Sequence, residues 1–192
     1  MTNAIRAFGW LIPWFLILVV IVLVAMLLIN QVSKRADKRD LSGVIRLWLL
    51  VCWYIGVIMI AVIPESGLVR ERFEGDAPNY SFIPFDGWFD QYGLNLAAVK
   101  ESALNTLLFV PGMILTLWAT RMSARAAFAT VVGFGVLIEI TQWITNWGRA
   151  LTMTDILVYA IGAVIGWGIY KIAYRSVMVN DEEDKLSDAV SG

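Results

Sequence analysis

Glu139, Gln142 and Asn146 stand at i, i+3 and i+7 in the run VGFGVLIEITQWITN, so one face of a single helix carries a carboxylate and two amides. The residues around them are apolar, and a charge at the centre of a membrane costs at least about 2.5 to 3.5 kcal/mol on insertion scales. Something must offset that cost, so this face has to turn toward protein or water. Asn105, Arg149 and Asp155 add an amide, a cation and a second carboxylate in apolar or interfacial sequence. The chemistry open to such a set is narrow. Two carboxylates can serve as acid and base if their environments push them apart, and an Arg can hold a phosphate. The chain has no histidine, which removes the usual zinc sites and any His-dependent triad or proton relay. Its single cysteine, Cys52, lies in an apolar run, so there is no disulfide framework and no CxxC motif. No metal and no cofactor are expected.

The elements that must position these groups are membrane spans. The 192 residues are 59% hydrophobic, with a mean hydropathy of +0.70, against roughly 45 to 50% apolar for an ordinary soluble chain. A net charge of −1 gives no reason to expect a nucleic-acid partner. A bilayer core about 30 Å thick needs roughly 20 apolar residues in a helix. Five stretches qualify: Phe8 to Ile29, Val44 to Ile63, Ala103 to Ala119, Ala126 to Ile144 and Ile156 to Ala173. The first is too long for a signal-peptide h-region and lacks an A-x-A site, so it reads as a retained span. The expected fold is therefore all-α, an integral membrane bundle of about five transmembrane helices. Lys and Arg set its orientation. Alternation from a cytoplasmic Lys34, Arg35, Lys38, Arg39 and Arg46 places ten cations inside and five outside, with the N-terminus outside and the C-terminus in the cytoplasm.

Three regions follow. Residues 1–79 hold two spans and the first half of the long extracytoplasmic loop. Residues 80–174 hold an aromatic segment and three spans, and residues 175–192 form an acidic tail with Asp181, Glu182, Glu183 and Asp184, expected to be unstructured. The aromatic segment crowds Tyr80, Phe82, Phe85, Trp88, Phe89 and Tyr92 into 13 positions. Rings of this density settle at headgroup level. They form either an anchoring belt or a lid over a site in the outer leaflet.

Topology alone brings the polar groups together. Glu139 lies roughly 10 Å from the outer end of its helix, counted at about 1.5 Å per residue from Asn146. Asn105 begins the third span, Asp155 begins the fifth, and Arg149 sits in the turn between the fourth and fifth; all three are outer positions. Asn105, Glu139, Gln142, Arg149 and Asp155 thus converge on one outward-facing pocket beneath the aromatic segment. Each also has a purely structural explanation. Thr152-x-x-Asp155 resembles a capping box, Asn105 can hydrogen-bond across helices, and Glu139 with Arg149 can form an ion pair. Gly162-x-x-x-Gly166 lets a neighbouring backbone approach the fifth helix.

These residues resemble the VanZ-like membrane family, named for a glycopeptide-resistance accessory protein. The resemblance runs from Ser81 to Gly166. It rests on Ile83-Pro84-Phe85, with Trp88 close by, then Asn105 to Pro111 as NTLLFVP, Glu139-x-x-Gln142, Arg149, Asp155-Ile156-Leu157 and Gly162-x-x-x-Gly166. Two departures stand out. The family commonly has Pro-Leu-Gly where this chain reads Pro111-Gly112, and an Asn four residues after the Asp where Tyr159 stands, which takes one amide out of the pocket. The resemblance implies a multi-pass protein of the bacterial cytoplasmic membrane and a link to teicoplanin-type resistance that does not rebuild the peptidoglycan precursor.

Three function classes remain open. A non-enzymatic protein would bind an amphiphile in the pocket, either a lipid-linked cell-wall precursor or a lipoglycopeptide, with Arg149 facing a phosphate beside a hydrocarbon chain. A membrane enzyme would act on a lipid headgroup through Glu139 and Asp155. A small transporter would titrate Glu139, although such sites usually lie near the midplane of a repeat-built fold.

Overall fold

The computed structural model describes residues 9–33, 41–62, 80–145 and 150–191. The described residues form a bundle of five helices: α1 (Leu11–Ser33), α2 (Leu41–Val62), α3 (Leu96–Ala119), α4 (Ala124–Thr145) and α5 (Met153–Ser191). Each is long and apolar enough to cross a membrane. Short strands lie between helices: β1 (Tyr80–Ser81), β2 (Phe89–Asp90), β3 (Gly93–Leu94) and β4 (Leu151–Thr152).

Two boundaries differ from those expected. α3 begins at Leu96 rather than Ala103, because Asn95 caps it by accepting from the Ala97 and Ala98 amides. Lys100 and Glu101 interrupt the apolar run there and hide this first part of the helix from a hydropathy reading. α5 continues beyond Ala173 to Ser191, through the acidic segment expected to be unstructured. The segment contains Glu182, Glu183, Lys185, Leu186 and Ala189, all good helix formers. Extending an existing helix also avoids the cost of nucleating one.

Helix packing is set by small residues. A Cβ on Gly162 would run into the Thr106 carbonyl, and one on Gly166 into the Val110 carbonyl, so α5 lies directly on the α3 backbone. Gly112 makes the equivalent room for the Trp53 indole of α2, whose Nε1 donates to the Leu108 carbonyl at 3.0 Å. Phe109 is the hub of the core: it stacks on Tyr159 with centroids 4.1 Å apart and meets Trp53 edge-on at 5.7 Å. Met113, Ala127, Val131, Ile138 and Ala163 fill the space around it. α1 is peripheral, tied to α2 by a hydrogen bond from Trp48 Nε1 to the Val19 carbonyl at 3.0 Å. The large apolar side chains exposed along all five helices form the surface that lipid covers.

The aromatic segment is a folded connection. β1 pairs in parallel with β4, Tyr80 opposite Leu151 and Ser81 opposite Thr152. A tight turn then carries the chain from Ile83 to Trp88, with Phe85 at φ 60 and Gly87 at φ 82. The β2–β3 hairpin leads into the Asn95 cap. Phe82, Phe89 and Tyr92 point outward, Tyr92 at 89% exposure.

Candidate functional site

Where α3 and α5 begin and α4 ends, the bundle holds a cavity of about 250 Å³. Four of the five expected site residues line it together: Asn105, Glu139, Gln142 and Asp155. The fifth, Arg149, lies outside the described residues, as does Asn146.

Glu139 is 1% exposed. Its Oε1 accepts from the Tyr159 hydroxyl at 2.8 Å and its Oε2 from the Thr152 backbone N–H at 3.1 Å. The second donor is the amide that leads into α5, where the helix dipole favours negative charge. The carboxylate is thus withdrawn from lipid and hydrogen-bonded, which answers the insertion cost that a bare carboxylate would carry. Tyr159 reaches it because Gly135 on α4 has no side chain to obstruct the ring.

Asp155 works one turn away. Its Oδ1 accepts from Asn105 Nδ2 at 2.8 Å, joining α3 to α5, and its Oδ2 accepts from the Thr152 hydroxyl at 2.7 Å. The Asp155 amide in turn donates to Thr152 Oγ1 at 3.0 Å. This is the expected cap with one change, since the Thr152 N–H is taken by Glu139 instead of by Asp155. Thr152 thereby connects the two carboxylates. Gln142 is buried and donates from Nε2 to the Ala61 carbonyl at 2.7 Å, fixing the end of α4 against the end of α2.

The aromatic segment roofs the cavity. The Phe85 amide donates to Thr154 Oγ1 at 2.7 Å, and Trp88 Nε1 donates to Ser102 Oγ at 3.1 Å, so the turn is fastened to the first turn of α5 and to α3. Ser81 Oγ donates to Asp86 Oδ2 at 2.6 Å and stiffens the turn itself. Asp86 and Trp88 both line the cavity. Pro84 is exposed in the turn, and Pro111 is exposed on α3 away from it. Gly162 and Gly166 serve the α3–α5 contact and are not among the lining residues.

Several lining residues escaped the sequence reading: Asp86, Glu101, Ser102 and Thr154. Ala98, Glu101, Ser102 and Asn105 recur at helical spacing on α3, a signal that was present once Leu96 is taken as the start of the helix. Tyr159, which reads in sequence as the loss of an amide, brings a hydroxyl donor to Glu139 instead. Among the described residues no group of three His, Cys, Asp or Glu side chains is placed to hold a metal ion.

A second, apolar groove of about 470 Å³ adjoins the cavity. Ile60, Leu104, Leu108 and Ile138 contribute to it, and it shares Glu101, Asn105 and Tyr159 with the polar cavity. Lys100 lies along the groove as well.

No curated protein and no solved structure matches the chain. The VanZ/LLP1 family profile does, over residues 14–174, a range that takes in the cavity, its roof and the glycine contact between α3 and α5. By that match, across most of its length, the chain belongs to the VanZ/LLP1 family of membrane proteins.

Proposed function

We propose that the protein binds an amphiphile, with the headgroup in the polar cavity and the hydrocarbon chain in the adjoining groove. The observation that carries this reading is that the two spaces share part of their walls. A polar chamber of about 250 Å³ and an apolar groove of about 470 Å³ share Glu101, Asn105 and Tyr159. A molecule with a polar end and a long apolar end matches that division of surface.

The distribution of Lys and Arg supports placing the cavity on the extracytoplasmic face of a bacterial cytoplasmic membrane. The ligands that meet such a site are a lipid-linked cell-wall precursor and the acyl tail of a lipoglycopeptide antibiotic. Capture of either gives a route to glycopeptide resistance of the teicoplanin type. Lys100, beside the groove, supplies a cation for a phosphate at the junction.

The test is retention of a polyprenyl diphosphate-linked saccharide by purified protein, read by native mass spectrometry. Leu104→Trp fills the groove without touching the hydrogen bonds of the cavity. It is expected to lower the bound fraction about tenfold, which corresponds to about 1.4 kcal/mol. Equal retention by wild type and variant refutes the reading.

A further inference from the structure

We infer that the end of the bundle opposite the cavity carries a separate lipid site, one selective for an anionic phospholipid. Among the described side chains charge is largely segregated, Lys100 being a cation at the acidic end. Among the described side chains, Arg46, Arg121, Arg125 and Lys171 occupy the end where α2 and α4 begin, and no acid accompanies them. Asp86, Glu101, Glu139 and Asp155 all lie at the other end.

Arg46 has local partners: it donates to the Ser42 and Trp118 carbonyls and faces the Trp118 ring at 5.9 Å. Arg125 and Lys171 do not resemble it. Among the described residues neither has a hydrogen-bond or ion-pair partner, and Lys171 Nζ rests 5.1 Å from the centroid of Trp167. Lys171 therefore sits against the Trp167 indole while Arg125 lines the same crevice as that indole, with no counter-charge to either among the described side chains.

Between them the helices leave an apolar crevice of about 280 Å³ lined by Met113, Phe128, Val164 and Trp167, with Arg125 at the first turn of α4. Val164 and Trp167 are exposed on the flank that lipid covers, so the crevice opens toward acyl chains. An indole with one cation against it and a second lining the same crevice suits a phosphodiester above a buried chain. Charge decides the occupant. A zwitterionic lipid would leave part of the positive charge uncompensated. A helix from a second copy would need an acid at this level, and the described spans place theirs at the opposite end.

The experiment uses the full chain in neutral detergent, with phosphatidylglycerol and phosphatidylcholine of identical acyl chains offered in equal amounts. Retained lipid is counted by native mass spectrometry. Wild type is expected to retain phosphatidylglycerol at least about fivefold over phosphatidylcholine, with the ratio falling to near one in Arg125→Gln/Lys171→Gln. Val164→Trp fills the crevice and is expected to reduce retention of both. Glycerol phosphate, which has the charge without the chains, is expected not to compete. The inference is overturned by equal retention of the two lipids in wild type, or by a preference that survives the double substitution. It is equally overturned by full competition from glycerol phosphate, or by a dimer that excludes lipid from Trp167. Arg125, Lys171 and Val164 line neither the polar cavity nor its groove, so the part of retention lost in these variants is the part held at this site.

Discussion

Tyr159→Phe removes a single oxygen, and the structure says what that oxygen is worth. Tyr159 is 4% exposed, its ring stacks on Phe109, and its hydroxyl donates to Glu139 Oε1 at 2.8 Å. Phe keeps the ring, the stacking and the fit against Gly135, so packing is unchanged to first order. What disappears is one donor to a carboxylate that is 1% exposed. Hydrogen bonds between neutral groups on membrane helices average about 0.6 kcal/mol, because the unfolded chain in the membrane also finds partners. Bonds to charged groups are worth about 1.5 to 3 kcal/mol. Glu139 retains the Thr152 amide, so only one bond is lost and the expected destabilisation is about 2 kcal/mol. Reversible unfolding by dodecyl sulfate in mixed micelles measures it. A double-mutant cycle with Glu139→Gln isolates the pair, with a coupling of about 1 to 2 kcal/mol expected. A cost at or below about 0.6 kcal/mol together with coupling near zero would mean that Tyr159 does not stabilise the carboxylate, and the account of how a buried Glu139 is tolerated would fail.

Gly162→Ala is expected to cost about 2 kcal/mol or more, since its methyl meets the Thr106 carbonyl, whereas Gly168→Ala, with open space around it, is expected to stabilise by up to about 1 kcal/mol. The same unfolding assay compares them, and equal effects would refute direct α3–α5 backbone contact. Asp155→Asn keeps an acceptor for Asn105, and the Thr152 hydroxyl can rotate to accept from the new amide; the expected loss is under about 1 kcal/mol. Glu139→Gln is expected to insert and express near the wild-type level while abolishing amphiphile retention, and retention that merely follows protein level would make the cluster structural. Cysteines at Leu94 and Ser123 in a Cys52→Ser background flank α3 and are expected to label from opposite sides of the membrane, the former from outside. Labelling from one side would rule out α3 as a span.

Much of this arrangement was legible because lipid enforces simple rules. A span needs a long apolar run, so all five helices show in the sequence. Helix ends alternate between faces, so Asn105, Glu139, Gln142 and Asp155 could be assigned to one depth by counting. Rotation about each helix axis is not written in that way. The Tyr159–Glu139 bond depends on Gly135 being opposite the ring, a property of how α4 and α5 dock. Gly162 and Gly166 signal a close approach, yet nothing in the GxxxG spacing says that the partner is α3. The early start of α3 was hidden by Lys100 and Glu101, which are tolerated near the end of a span where their heads reach the interface.

The parallel pairing of β1 with β4 bears on the order of assembly. Tyr80 and Ser81 emerge from the ribosome 71 residues before Leu151 and Thr152, their partners. Two helices must be made and inserted in between, and Phe85 waits still longer for Thr154. While α3 and α4 are being threaded into the bilayer, the roof therefore has no ledge to rest on, and Glu139 lacks the Thr152 and Tyr159 donors, which have yet to be synthesised. Through that stage the Glu139 carboxylate is without two of the donors that hold it in the finished bundle. Arrival of α5 ends that stage in one step, supplying the donors, the β-ledge and the glycine seam together. A chain stopped before residue 150 would have four of the five described spans and no closed chamber, so the site is completed only by the last helix.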